Sequence, residues 1–471
     1  MRQFIGRKKE LAALQNLYNT TGFQMVVMYG RRRVGKSTLL QKFIEGKKAV
    51  FYTAIRSSLQ RNIELFGNRI LESVAPSCFS GLSFISIEQL LSFLTTLSKE
   101  ERLVVVIDEF PYLAEQDSAL LSILQKYIDT EWLHSNMFLI LCGSSVSFME
   151  NEVLSEKSPL FGRRTGQMHV KPFGYQEAAE FVPNYSYEEK AICYGVTGGI
   201  AKYLSLFDET KSLSQNLIDL FFSTAGYMYE EPTNLLVQEF RNISSYNAIL
   251  DAVASGKQKL RDIVDVTHLE QSTVSHALRN LISTGIIEKI HAITDEGNKK
   301  KTRYILGDHM FQFWYRFIPN GIDIIELDKG DIYFKTLVQP HLLDYMGSVF
   351  EDMCQKYTLQ QGIEGKFACL VTRVGKWWGT NPSKKEETAI DVVGLDMLHK
   401  TAVLGECKFK NEVIDKKVFQ ALKERNGLID HQYRTVQYLL FSKSGFSSWI
   451  MEHAASEAIV SITLQDMYEK V

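Results

Sequence analysis

"MVVMYGRRRVGKSTLLQKFI", residues 25–44, decides how the first part of the chain folds. Met25 to Tyr29 is an unbroken apolar run, the pattern of a strand covered on both faces, and Leu39, Leu40 and Phe43 then recur at helical spacing. Between strand and helix lie Gly30, Arg31, Arg32, Arg33, Val34, Gly35, Lys36, Ser37 and Thr38, in which Gly30, Gly35, Lys36 and Ser37 complete the spacing GxxxxGK[ST]. A glycine-bounded loop opening onto a helix N-terminus presents backbone N–H groups and the positive end of the helix dipole, which suits phosphate. Lys36 is expected to reach the β and γ oxygens of ATP, or the β oxygens of ADP, and Ser37 to ligate Mg2+.

Two further apolar runs belong to the same sheet. "AVFYTA" at 49–54 predicts a second strand, and "LVVVIDEF" at 103–110 ends in Asp108 and Glu109. Asp108 is placed to hold the Mg2+ shell and Glu109 to polarise the attacking water, the arrangement of an ATP hydrolase. "MFLILCGSSVSFM" at 137–149 delivers Ser144 and Ser145 to that edge, where their hydroxyls either sense a γ-phosphate or cap the following helix.

From Ser245 the pattern changes to three short helices and a hairpin, the outline of a winged helix-turn-helix. In a DNA-binding version Ser272, Thr273, Ser275, His276 and Arg279 face bases or phosphates, and Lys299, Lys300, Lys301 and Arg303 of the wing contact the backbone. Alternatively the winged helix is a switch element that touches no nucleic acid. "DHMFQFWYRFI" at 308–318 is expected to be a core helix at a domain junction.

Near the C-terminus, "AIDVVGLDMLHKTAVLGECKFK" at 389–410 sets charges inside apolar strands. Alternation puts Ala402, Leu404, Glu406 and Lys408 on one face of what reads as a central strand, and Asp391 on the same face as Ala389 and Val393. A lone carboxylate there is costly to bury unless it is paired or metal-bound. The spacing Asp-x(14)-Glu-x-Lys resembles the core of PD-(D/E)xK nucleases, which implies that Asp391 and Glu406 hold Mg2+ and that Lys408 steers the attacking water; an exposed edge strand would equally carry Glu406 and Lys408 as a solvated face. "RVGKWWGTNPSKKEET" at 373–388 is read as a loop that grips a phosphate backbone or as a partner-binding hairpin.

A length of 471 residues suggests about three domains, and a net charge of −2 excludes a uniformly basic nucleic-acid coat. Six scattered cysteines show no CxxC pair, and no segment is apolar enough for a membrane span or signal core, so a cytoplasmic location is expected.

"FIGRKKEL", "YGRRRVGKST", "VVVIDEFPYL", "LCGSSVSFM", "SPLFGRRTGQMHVKPF" and "GGIAKYL" together resemble the archaeal ATPase family of STAND-type, AAA-like P-loop proteins over about the first 205 residues. The resemblance implies that residues 4–7 lie near adenine and that Arg163 or Arg164 is an arginine finger acting within one chain or, through self-association, between subunits. Without the family, paired arginines read as surface salt-bridge partners. Where the family has Gly-Gly-Ile-Pro, this chain has Ala201 in place of proline.

The region from Asp308 resembles the domain that commonly follows this ATPase, itself similar to PD-(D/E)xK nucleases. That resemblance adds Glu351, on a preceding helix, as a further metal-binding acid, or else as one residue of a polar helix face. The expected architecture is α/β and multidomain. It comprises a P-loop ATPase with a parallel sheet at 1–184, a helical lid at 185–240, a winged helix at 241–307 and a restriction-endonuclease-like α/β domain at 308–471. The expected function is an ATP hydrolase whose nucleotide state controls a Mg2+-dependent nuclease acting on DNA or RNA. The alternative is a regulatory ATPase whose nuclease-like domain does not cut.

Overall fold

The computed structural model describes residues 4–76, 82–240, 242–295 and 302–469. The chain divides into two compact units, residues 1–173 with 200–203, and residues 174–199 with 204–471.

The first unit is built on five parallel strands in the order β2-β3-β4-β1-β5. They are β1 (Gln24–Tyr29), β2 (Ala49–Thr53), β3 (Leu103–Asp108), β4 (Met137–Gly143) and β5 (Gly166–His169). Every residue of β1, β3 and β4 is buried, because helices cover both faces. That double cover explains why these strands read as continuous apolar runs. The amphipathic helices Leu59–Val74 and Ile87–Glu100 are capped by Ser58 and Ser86, whose side chains accept from Arg61 N and Gln89 N. All five strands point the same way, so the loops after β1, β3 and β4 emerge at one edge, where ligands of open α/β sheets bind.

In the second unit three helices, Ile243–Ala254, Leu260–Thr267 and Gln271–Ser283, precede an antiparallel pair, β6 (Ile287–Ile290) with β7 (Arg303–Leu306). This is the expected helix-turn-helix with its hairpin. Helix His309–Phe317 buries Met310, Phe311, Phe313 and Phe317, so the aromatic run is core.

The long helix Leu342–Ile363 then packs on a five-stranded mixed sheet of order β12-β11-β10-β9-β8. Strands β8 (Arg373–Asn381), β9 (Glu386–Asp396) and β10 (Thr401–Lys408) form an antiparallel meander. Helix Lys416–Lys423 crosses over to β11 (Arg434–Ser442), which lies parallel to β10, and β12 (Ile459–Thr463) follows parallel to β11. Strand β10 therefore has a neighbour on each side, as its two apolar faces require.

Of the two forms expected for 373–388, the loop and the hairpin, the chain forms the hairpin: β8, a turn and the start of β9, with Trp377 and Trp378 buried in the apolar core of the sheet. Indoles seven-eighths or more buried within a sheet do not offer stacking faces to a nucleic acid.

Candidate functional site

At the loop edge of the first unit, Gly30 has φ +150° and a Cβ there would stand 2.3 Å from the Val170 carbonyl oxygen. Gly35, at φ +92°, opens the helix Lys36–Ile44. Only glycine fits the first position sterically, and the second is a left-handed cap. The Lys36 ammonium donates to the carbonyls of Gly30 (2.7 Å) and Arg31 (3.0 Å), and burial lowers its pKa. Val34 is buried, whereas Thr38 is exposed one residue beyond Ser37. Ser37 Oγ donates to Asp108 Oδ2 at 2.7 Å, although β4 lies between their strands. A hydroxyl and a carboxylate at this spacing are the hard oxygen donors that Mg2+ takes beside phosphates, so the residues present fit that ion.

Glu109 sits just past β3 with φ 52°, a left-handed conformation that costs a non-glycine residue roughly 1 kcal/mol or more. Its two carboxylate oxygens each lie 2.6 Å from Ser144 Oγ, which donates to them. Arg32 Nη1 stands 4.0 Å from the same carboxylate and Arg32 Nη2 donates to Tyr112. Ser144 thus grips the candidate base, while Ser145 makes no side-chain cap to the next helix. The grip of Ser144 on Glu109 carries no mark in the local sequence, because it depends on β3 and β4 being adjacent.

Arg7 at the start of the chain donates to the Val34 carbonyl (2.9 Å) and stacks its guanidinium 3.9 Å from the centre of the Phe173 ring. The family-derived expectation of a nearby adenine is therefore joined by a direct brace on the phosphate loop. Arg33 adopts φ 69°, and its carbonyl accepts from Lys202 N at 3.1 Å.

Arg163 and Arg164 are not brought to this edge within the chain. They precede β5, whose Gly166 pairs with Val26 and whose following residue, Val170, is level with the phosphate loop. The six chain steps from Arg164 to Val170, through the four residues of β5, put them roughly 20 Å from it at ~3.3 Å per extended residue. Arg163 is instead held by Asp129 through two bonds of 2.8 and 2.7 Å, the surface salt bridge that the residue pattern allowed. Arg164 donates to the Leu154 carbonyl.

A second polar cluster lies in the C-terminal sheet. Leu404 pairs with Val393 and Gly405 with Val392, so continuation of the ladder sets Glu406 level with Asp391 on one face. Asp391 Oδ2 accepts from Cys407 N at 3.1 Å, and Gln355 of the long helix donates to the Asp391 carbonyl at 2.8 Å. Glu406 is 6% exposed, and its two oxygens accept separately from Lys408 (2.6 Å) and Arg425 (2.6 Å). Glu351 accepts from Lys376 at 2.5 Å. Burial pushes the Asp391 carboxyl up to about 7, and the Glu406 and Glu351 carboxylates add to the rise. Three acids and three bases thus converge where the pattern had indicated three acids and one lysine.

Lys376 and Arg425 carry no local mark in the sequence. Lys376 lies at the irregularity between the pairs Gly375↔Val393 and Trp377↔Ile390, and a break in register carries no local sequence mark. Arg425 follows the crossover helix and reaches Glu406 from outside the strand pattern. Among the described residues no three His, Cys, Asp or Glu side chains are arranged to hold a metal ion as they stand. A cation between Asp391 and Glu406 fits the crowded negative charge, but it requires Glu406 to release a basic partner.

The crowding has a measurable consequence for stability. The ordinary Asp value is 3.8, so ionised Asp391 costs stability above pH 7, and the cost fades as pH falls from 7 towards 4. Asp391→Asn keeps an acceptor for Cys407 N and is expected to raise stability at pH 8 by on the order of 1–2 kcal/mol. Thermal melts should show a gain of about 2–6 °C at pH 8 that vanishes near pH 4.

On the helix Gln271–Ser283, Ser272, Thr273, His276 and Arg279 are exposed and Ser275 is half-buried. Lys299, Lys300 and Lys301 lie outside the described residues. The described part of the wing rests on the C-terminal sheet. Ile293 N donates to the Lys376 carbonyl (3.0 Å), Arg373 donates to the Ile293 carbonyl (2.9 Å), and Arg303 stacks 4.8 Å from the Trp378 ring centre. This covers the edge strand β8, which otherwise exposes unpaired backbone groups. Beside this contact lies an open pocket of about 1230 Å³ whose lining includes Lys289, His291 and Arg303 of the wing, Glu351 and Gln355 of the long helix and Lys376 of β8. No helix among the described residues is long and apolar enough to cross a membrane.

Comparison with known proteins matches three stretches of the chain. Residues 4–207 match an ATPase domain predominantly from Archaea, residues 247–289 match the bacterial regulatory protein arsR family, and residues 314–423 match a family of archaeal and bacterial proteins of unknown function. An uncharacterized protein of Methanocaldococcus jannaschii is 28% identical over 429 residues, 90% of this chain and 92% of its own. An uncharacterized ATP-binding protein of the same organism is 47% identical over 45 residues, 10% of this chain and 76% of its own. Among solved structures, a Walker-type ATPase of Pyrococcus abyssi superposes with a TM-score of 0.51 at 21% identity, covering 66% of this chain and 96% of that one. The fold is accordingly that of a P-loop ATPase carrying a helix-turn-helix region.

Proposed function

We propose that this chain, whose residues 4–207 are a P-loop ATPase domain of a predominantly archaeal kind, is an ATP-hydrolysing switch of the STAND type. Its nucleotide state governs a Mg2+-dependent, nuclease-like C-terminal domain that acts on DNA. The observation that carries the nuclease half is the meeting of Asp391, Glu406 and Lys408 on one strand pair, with Glu351 and Lys376 beside them.

At the phosphate loop, Lys36 exchanges its two carbonyl partners for phosphate oxygens, and Ser37 with Asp108 would hold Mg2+, which neutralises developing phosphate charge. Glu109, oriented by Ser144, accepts the proton of the attacking water. At the C-terminal cluster Asp391 and Glu406, with Glu351 as a further acid, would hold the divalent ion that offsets charge on the scissile phosphate. Lys408 steers the nucleophilic water, and Lys376 and Arg425 are the cations that keep the acids compact until substrate arrives. The exposed Thr273, His276 and Arg279 face supports a DNA contact. An arginine-finger role for Arg163 or Arg164 calls for a second copy of the chain, because strand topology holds them at the far edge of their own sheet.

A second reading has its own support. Both Glu406 oxygens and one Glu351 oxygen are occupied by cations, which suits a regulatory ATPase whose nuclease-like domain binds but does not cut. Cleavage distinguishes the two. Purified protein is incubated with single- and double-stranded DNA and RNA, with Mg2+ or Mn2+, and with ATP, ADP or neither. The nuclease reading expects metal-dependent cleavage that Glu406→Ala and Lys408→Ala each lower at least about 100-fold. No cleavage by the unaltered protein in any nucleotide state would establish the regulatory reading instead.

A further inference from the structure

We infer that Tyr194, Asp352 and Lys356 form the joint through which nucleotide at the phosphate loop sets the position of Glu351 and Gln355 beside Asp391. They are positioning residues that touch neither nucleotide nor the C-terminal acids.

The segment 187–203 is anchored at both ends. At its far end, inside the first unit, Ala201 Cβ lies 3.4 Å from the site of a Cβ on Gly35. Lys202 N donates to the Arg33 carbonyl at 3.1 Å, and Arg33 Nη1 donates to Tyr203 Oη at 3.4 Å. Residues 200–203 therefore rest on the phosphate loop itself, and a change of loop conformation on phosphate binding reaches them directly.

The near end is the helix Tyr187–Thr197, inside the second unit. Its Tyr194 is 2% exposed and donates to Asp352 Oδ2 at 3.2 Å. Lys356 Nζ closes the triangle, donating to Tyr194 Oη and to Asp352 Oδ2 at 2.7 Å each. One residue further, Tyr345 Oη donates to the Gly195 carbonyl at 2.6 Å. A Cβ on Gly195 would stand 2.7 Å from Met346 Sδ, so this helix and the long helix Leu342–Ile363 meet at close range. The contact is polar, directional and packed, which makes the two helices move as one.

The same long helix carries the reporters of the C-terminal cluster. Glu351 precedes Asp352 and is bonded to Lys376, while Gln355 precedes Lys356 and is bonded to the Asp391 carbonyl. A rotation or slide applied at Tyr194 therefore displaces Glu351 and Gln355 relative to Asp391. Between the two anchors stand Gly198 (φ 61°) and Gly199 (φ 72°), consecutive left-handed glycines at one of the points where the chain passes between the units. They are where a rigid helix can change direction, as hinge residues do. The link is chain connectivity plus bonded contacts inside each unit, and both ends bias one helix.

The inference requires nucleotide binding but not cleavage, so it and the nuclease reading fail separately. Amide hydrogen exchange is measured on the full chain without nucleotide, with ADP and with a non-hydrolysable ATP analogue. The expected result is a nucleotide-dependent change of about threefold or more in exchange along 342–363 and around Asp391, as for a segment that shifts between two packed states. In Tyr194→Phe and Lys356→Met that change should shrink below about twofold, while protection of the helix 36–44 by nucleotide is retained, and Lys356→Arg should keep most of it. A merely structural role would speed exchange equally in every nucleotide state and leave its nucleotide dependence intact. That outcome, or an unaltered protein whose 342–363 segment ignores nucleotide, overturns the inference.

Discussion

Lys36→Ala is expected to abolish ATP binding at micromolar concentrations while leaving the fold intact. The ammonium is the cation buried at the centre of the phosphate loop, 2.7 Å from the Gly30 carbonyl and 3.0 Å from that of Arg31. Burial lowers its pKa, and the Asp108 and Glu109 carboxylates counter that shift, so phosphate would meet a poorly hydrated cation. Truncating one partner of such a buried charged contact costs about 2–5 kcal/mol, a loss of affinity of roughly 30- to 4000-fold. Fluorescent nucleotide titration reads the loss directly. Retention of affinity within about threefold would show that nucleotide does not bind at this loop.

Glu109→Gln is expected to separate binding from hydrolysis. Ser144 donates to a glutamine oxygen as readily as to a carboxylate, so the left-handed turn at 109 and the position of the side chain should survive. What disappears is the proton acceptor. A fall in kcat of about 10²- to 10⁴-fold is expected, with nucleotide affinity nearly unchanged. A fall below about tenfold would identify another base. Ser144→Ala should lie between the two, because it frees the carboxylate to rotate without removing it.

These two residues were legible in the sequence because their chemistry is announced locally. An apolar run, a glycine-bounded loop and a helical period together fix the backbone around Lys36, and an apolar strand ending in Asp-Glu does the same for Glu109. The alternation in 401–408 likewise places Glu406 and Lys408 on one face, since the period of a strand is two whatever surrounds it. The winged helix was readable for the same reason. Its spacing of apolar residues leaves one face of Gln271–Ser283 exposed.

The partners of those residues were not legible. Ser144 reaches Glu109 only because β4 lies beside β3, and Arg425 reaches Glu406 only because a helix brings the chain back past β10. The arginines at 163–164 carry a motif yet stand at the opposite edge of the sheet, because a parallel strand has a direction that a motif does not state. The segment 373–388 reads as a basic, aromatic loop or as a hairpin; it is a hairpin, and its pairing turns the indoles inward.

By itself, then, the sequence determined the phosphate loop, the carboxylates, the order of domains and the faces on which charged residues fall. All of these follow from neighbours within about a dozen positions, through steric and periodic rules. Only the tertiary structure decided which cation neutralises which acid, which hydroxyl holds the base, and that Tyr194 is bonded to Asp352 and Lys356, more than 150 positions away. Such pairings are set by strand order, register and helix packing, and their free energy depends on distance in space rather than along the chain.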